Sequence, residues 1–272
     1  MTVQNATAPA PVAATSPRST AFSDFTVRVI AGVAILLLWE VLARAFAPVF
    51  VARPTGIIVA FPQVMQNPAF WMAAKATLGA VFQGLAIAFV FGTVIGVGIG
   101  RIRVVDRLTS LYISGLFAMP LTAILPLFSL WFGYTADARL AVVVFACFFS
   151  VVTNVSDGAR AVPIEYIEVS RSFRGSSFSR LFDVILPASV PYILAGLRLA
   201  AGRALIGAVV AEFFVSIPGL GFFILFQARS FHHNEAFVGV ALLAAAGVLF
   251  EIALRKATAK WLPWYRRGEP GD

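Results

Sequence analysis

The side chains with chemical potential in this chain are two histidines, one cysteine and a few charged residues embedded in apolar runs. His232 and His233 are adjacent, so on a helix they would not share a face, and no further ligand falls at metal-binding spacing around them. They read as residues of a connection. Cys147 is the single cysteine, lies inside an apolar run and has no intrachain disulfide partner, which makes it a small core hydrophobe. No acid, base, nucleophile and orienting group assemble from this set, so no catalytic, cofactor-binding or metal residues are expected. A Gly-x-x-x-x-Gly-Lys-Ser/Thr phosphate cradle is also missing from the sequence.

The embedded charges are more informative. Glu212 lies deep in an apolar run, where a carboxylate is costly and marks either a solute path or gate, or a structural hydrogen bond to a neighbouring helix or to the Pro218-Gly219 turn. Arg198 and Arg203, five residues apart, point to different helix faces. They read as snorkelling toward headgroups, with attraction of an anionic solute as the sharper alternative. Glu40 and Arg44, four apart with the acid first, fit a helical ion pair.

The elements that must position these residues are set by composition. Of 272 residues, 60% are hydrophobic and 12% charged, whereas soluble domains average about 45–50% and about 25%. Six runs approach the roughly 20 residues needed to cross a bilayer: about 26–48, 77–100, 108–132, 139–157, 190–215 and 236–255. In lipid they must be helices, giving an all-α membrane protein with about six transmembrane helices. The first run is long and lacks a small-residue cleavage site, so it is expected to be retained rather than removed as a signal peptide. The net charge of +8 lacks the basic, aromatic-interleaved surface of a nucleic-acid binder. Instead, Arg101, Arg103, Arg107, Arg160, Arg171, Arg174 and Arg180 fall on one side with the basic C-terminal region, against only Arg53, Lys75, Arg139 and Arg229 opposite. This asymmetry puts both termini in the cytoplasm. Residues 1–24, rich in Ala, Pro, Ser and Thr, read as a disordered cytoplasmic tail.

Between the runs, Thr55 is expected to cap a short helix, Pro68 to open another, and Trp71 to suit the headgroup region. Gly92, Gly96 and Gly100 share one helical face and read as a close-packing surface, with a solute path as the alternative. Pro120 and Pro126 interrupt the third run and read as kinks, either at a gate or fitted to neighbouring helices.

The longest cytoplasmic connection, residues 158–187, holds a helical segment between Pro163, suited to a first helical position, and Gly175, suited to a left-handed end. Ile164, Ile167, Ser170 and Phe173 fall on one side, and Glu165, Glu168 and Ser172 on another. The two acids fit poorly against anionic lipid, which favours a protein partner.

This segment resembles the cytoplasmic loop of permease subunits of ABC importers, which reads Glu-Ala-Ala, three residues, Gly, nine residues, Ile, one residue, Leu-Pro. Glu168-Val169-Ser170 fills the first element, and Val184, Leu186 and Pro187 fill the last. Arg174 stands where the glycine belongs, and the glycine follows at Gly175, so the turn is expected to have slipped by one residue. Leu125-Pro126-Leu127 leading to Trp131-Phe132-Gly133, Gly196-Leu197-Arg198, and Glu212 followed by Gly219-Leu220-Gly221 resemble the nitrate, sulfonate, taurine and thiamine-precursor branch.

The resemblance covers roughly residues 30–260. It implies a permease domain over 25–262 with its core at about 77–255, a cytoplasmic tail over 263–272, and a coupling helix between the fourth and fifth spans. The implied assembly is a second permease copy, two cytoplasmic ABC ATPase subunits carrying ATP and Mg, and a periplasmic or external solute-binding protein at a bacterial inner membrane. Glu165, Glu168, Val169, Ser170, Phe173, Arg174 and Gly175 are the implied ATPase-docking residues, and Pro120, Pro126 and Glu212 the candidates for path or gate. The implied function is a translocation pathway for a small polar or anionic solute, with ATP hydrolysis left to the partner. The alternative is a stand-alone secondary transporter, which would need coupling-ion sites beyond Glu212.

Overall fold

The computed structural model describes residues 21–46 and 50–261, which divide into two units, Met1–Pro54 and Thr55–Asp272. Regular structure among them is helical, without a strand. In the first unit, α1 (Ala21–Phe46) is a single apolar helix, and Arg44 Nε donates to Glu40 Oε1 at 2.6 Å. Residues 21–24, expected in a tail, are helical. Residues 1–20 and the expected tail over 263–272 lie outside the described residues.

Pro54, the last residue of the first unit, opens α2 (Pro54–Gln66), whose remaining residues begin the second, so Thr55 lies inside the helix rather than capping it. The next helix, α3 (Pro68–Arg101), starts nine residues earlier than the apolar run suggests. Asn67 caps it by accepting from the Ala69 N–H at 2.9 Å, and Pro68 fills its first turn without losing a bond. Trp71 Nε1 donates to the Met65 carbonyl at 2.8 Å, tying α3 back to α2.

The third run is two helices, α4 (Arg103–Ala118) and α5 (Leu121–Phe132), meeting at 97°. Met119 precedes a proline and is therefore pushed out of the helical region, to ψ 131°, which ends α4. Pro126 is accommodated inside α5, and Gly133, at φ +70°, closes it in a conformation suited to glycine.

Next come α6 (Ala136–Ala161) and α7 (Ile164–Ser172). A short α8 (Ser177–Ser179) passes through a π-helical stretch, Arg180–Ile185, into α9 (Leu186–Val215). The fifth span is thereby continuous from Ser177 to Val215, well before the expected start at residue 190. Pro187 explains the π turns: its ring would strike the Asp183 carbonyl in an α-helix, and the wider turn, with Leu186 N–H donating to Leu181 O, relieves that clash. The chain ends with α10 (Leu220–Arg229) and α11 (His233–Trp261). Among the described residues, five helices are long and apolar enough to cross a membrane, and the α4–α5 pair makes a sixth span if counted as one.

The core is built on α3, α6 and α9, whose contacts include Val81, Leu85, Val143, Cys147, Val151 and Ala204. Lipid supplies little hydrophobic drive between helices, so close approach through small residues does the work. A Cβ at Gly92 would lie 2.9 Å from the Val151 Cβ, at Gly96 2.8 Å from the Val152 carbonyl oxygen, and at Gly100 2.5 Å from the Ser156 carbonyl oxygen. The stripe therefore faces α6 rather than a cavity.

Candidate functional site

The segment from Pro163 to Ile185 is held by its own backbone. At the end of α7, the Gly175 N–H donates to Ser170 O at 2.9 Å and the Arg174 N–H to Arg171 O at 2.8 Å. These are the two bonds of a Schellman cap, which requires a left-handed residue at the position Arg174 occupies. Arg174 is at φ +56°, whereas Gly175 is not in the left-handed region. The expected slip of the turn to Gly175 is thus corrected: the left-handed residue stays where the family pattern has glycine, and an arginine takes the strain. Gly175 serves a different need, since a Cβ there would lie 2.8 Å from Ser170 O.

Arg180 Nη1 then donates to the Gly175 carbonyl at 2.9 Å and its Nη2 to Ser177 Oγ at 2.8 Å, while Ser176 caps α8 through the Ser179 N–H at 3.0 Å. Together these bonds fix the turn after α7.

Ile167 is the anchor of α7, 3% exposed. The expected face of Ile164, Ile167, Ser170 and Phe173 is not a buried face: Ile164 is exposed, Ser170 is half-buried, and Phe173 is 84% exposed. Tyr166, Val169 and Phe178 are exposed as well, flanked by exposed Glu165 and Glu168. The segment offers an apolar surface with acidic edges at an end of the bundle dominated by Arg101, Arg103, Arg171 and Arg174. Nearby, Arg160 pairs with Asp106 and Asp157, and Arg101 donates to Ala159 O at 3.2 Å, so α3, α4 and α6 are tied together beside α7.

At the opposite end of the bundle, Glu212 is 0% exposed, with both carboxylate oxygens engaged. Oε1 accepts from Thr77 Oγ1 at 2.7 Å and Arg139 Nη1 at 3.1 Å, and Oε2 accepts from the Gly221 N–H at 2.7 Å. Arg139 also donates to Pro218 O at 3.0 Å, and the Leu220 N–H donates to Thr77 Oγ1 at 2.7 Å. Glu212 therefore braces α3, α6, α9 and the turn before α10, the structural hydrogen bonding that the sequence offered beside a path or gate. Arg139, expected in an outer connection, and Thr77 were the residues sequence reasoning missed. The signal was available, because an intramembrane carboxylate demands a partner.

Beside a cavity of about 710 Å³ that takes Phe128 and Phe132 from α5, two more flank the broken span. One, of about 530 Å³, is lined by Phe117, Met119, Leu121, Phe145, Phe149 and Arg203 and opens at the break beside Pro120. The other, of about 360 Å³, includes Pro126, Ser129, Tyr134 and Phe214. Elsewhere, Arg198 pairs with Glu251 of α11 at 3.0 Å. His232 lies in the turn before α11 and His233 at its first position, and no group of three metal-ligating side chains occurs among the described residues.

The family model described as the binding-protein-dependent transport system inner membrane component matches residues 88–259, from within α3 to within α11 and including the whole α7 segment. The chain belongs to this family. It is 30% identical over 237 residues to the putative aliphatic sulfonates transport permease protein SsuC of Bacillus subtilis, covering 85% of this chain and 84% of that one. It is 27% identical over 234 residues to the formylaminopyrimidine transport permease protein ThiX of Halalkalibacterium halodurans, covering 86% and 93%. Its fold is similar to a chain of the MetNI methionine ABC transporter in inward-facing conformations, with a TM-score of 0.61 at 18% identity, over 71% of this chain and 95% of that one. The protein is a multi-pass transmembrane permease of an ABC importer, and transport rather than catalysis is its role.

Proposed function

We propose that this permease carries a small polar or anionic solute inward, powered by two cytoplasmic ABC ATPases that dock on α7, with a second copy of the chain completing the pathway. The observation that carries the docking is the exposed Tyr166, Val169 and Phe173 surface, edged by Glu165 and Glu168, on a helix anchored by Ile167. An exposed apolar patch rimmed by charge suits a protein partner. ATP and Mg are held by the ATPases, and an external binding protein delivers the solute. Both termini face the cytoplasm, as the basic connections on the α7 side support.

The mechanism follows from the rigidity of the segment. Closure of the ATPases around nucleotide moves α7, the Arg180 clamp transmits that displacement into the continuous Ser177–Val215 helix, and the pathway reorients. Nucleotide shifts this equilibrium only by binding one state more tightly than the other. Co-purification of the ATPase subunits with Glu168→Arg and Phe173→Asp variants tests the docking.

A further inference from the structure

Arg139, Arg198 and Arg203 differ in their circumstances. Arg139 is paired with Glu212 and Arg198 with Glu251, but Arg203 has no carboxylate partner among the described residues. Its guanidinium lies 4.0 Å from the centroid of the Phe117 ring. It is twelve positions from Val215 and seventeen from Leu186, or about 18 Å and about 26 Å along the helix axis. It is the charged side chain that lines the cavity of about 530 Å³ at the α4–α5 break. A cation set among apolar side chains of a membrane-spanning bundle is costly and marks a solute pathway.

The surroundings specify the ligand. The 530 Å³ cavity at the α4–α5 break is otherwise lined by apolar side chains, including Met119, Leu121, Phe145 and Phe149, with no carboxylate among them. Phe117 covers one face of the guanidinium, leaving its N–H fork free for a planar or trigonal anionic head. The volume falls within the usual range for small-molecule sites, about 300–1,000 Å³. The apolar walls suit an organic body better than a hydrated inorganic ion.

We propose that the cavity at the α4–α5 break is a binding station for a small organic anion, with Arg203 receiving its carboxylate or sulfonate head. This deepens the importer reading and rests on it for the direction of transport.

The test uses the full chain in nanodiscs, with Cys147→Ala removing the native thiol and Met119→Cys placing a reporter in the cavity wall. Alkylation rates are compared for anionic and cationic methanethiosulfonate reagents at low ionic strength. A unit charge about 8 Å away, even at the dielectric of bulk water, biases the anionic-to-cationic rate ratio by about fivefold. Arg203→Gln is expected to remove that bias, Arg203→Lys to retain it, and Arg198→Gln to leave it intact. Butane-1-sulfonate is expected to slow labelling and butylammonium to leave it unchanged. A rate ratio indifferent to Arg203→Gln, a thiol unreactive to both reagents, or equal protection by both probes overturns the proposal. Labelling requires neither ATPase nor transport, so its failure leaves the docking of ATPase on α7 standing, and failure of docking leaves the labelling result interpretable.

Discussion

Arg174 carries a backbone strain that a glycine would relieve. A left-handed conformation costs a non-glycine residue about 1–2 kcal/mol, and Arg174 holds it at φ +56° because the Schellman bonds around it require it. Arg174→Gly is therefore expected to stabilise the turn by about 1 kcal/mol, offset in part by the greater freedom of glycine in the unfolded chain. A raised melting temperature of the purified permease checks this. The glycine at 175 made a slipped turn the natural expectation. What sequence could not convey is that this glycine answers a shortage of space against Ser170, not a torsional demand. The Glu212 brace makes a second prediction. Removing one member of a buried, hydrogen-bonded ion pair costs about 3–5 kcal/mol, while replacing both by apolar residues costs far less. Glu212→Leu and Arg139→Met should each lower the melting temperature sharply, and the double variant should melt above either single one. Glu212 was legible as a buried acid, but its partners were not, because Thr77 and Arg139 meet it only after three spans have packed.

At the scale of elements, the close contact of α3 with α6 depends on which glycine is changed. Gly96 and Gly98 lie on the same helix, yet a Cβ at Gly96 meets the Val152 carbonyl at 2.8 Å whereas one at Gly98 meets nothing within 4 Å. Alanine gains helix propensity at both sites by up to about 1 kcal/mol, but at Gly96 the overpacking cost of about 1–3 kcal/mol outweighs it. Gly98→Ala is expected to hold or raise the melting temperature and Gly96→Ala to lower it. The four-residue glycine repeat made this face readable from sequence. The broken span was readable only in part: a proline at 120 announces that Met119 leaves the helix, but not that α5 turns away by 97°. Pro187 misled in the opposite sense, since the π stretch before it lets one helix run from Ser177 to Val215.

At the scale of the whole molecule, the number of spans and the family were legible because apolar length and ordered short motifs are local properties. The surface proposed to meet the motor was legible in position but not in exposure. Spacing grouped Ile167 with Phe173, yet the fold buries the first and presents the second. The division follows from α7 leaning on the helix that succeeds it, which no local pattern encodes. Docking of the ATPase on α7 is tested most directly by the amount of ATPase retained per permease during co-purification from a membrane containing both. Phe173→Asp and Glu168→Arg permeases with unchanged melting temperatures are predicted to lose most of the bound ATPase, while a Phe132→Asp variant, altered at the far end of the bundle, retains it. Full retention of ATPase by the Phe173→Asp and Glu168→Arg permeases would contradict the account.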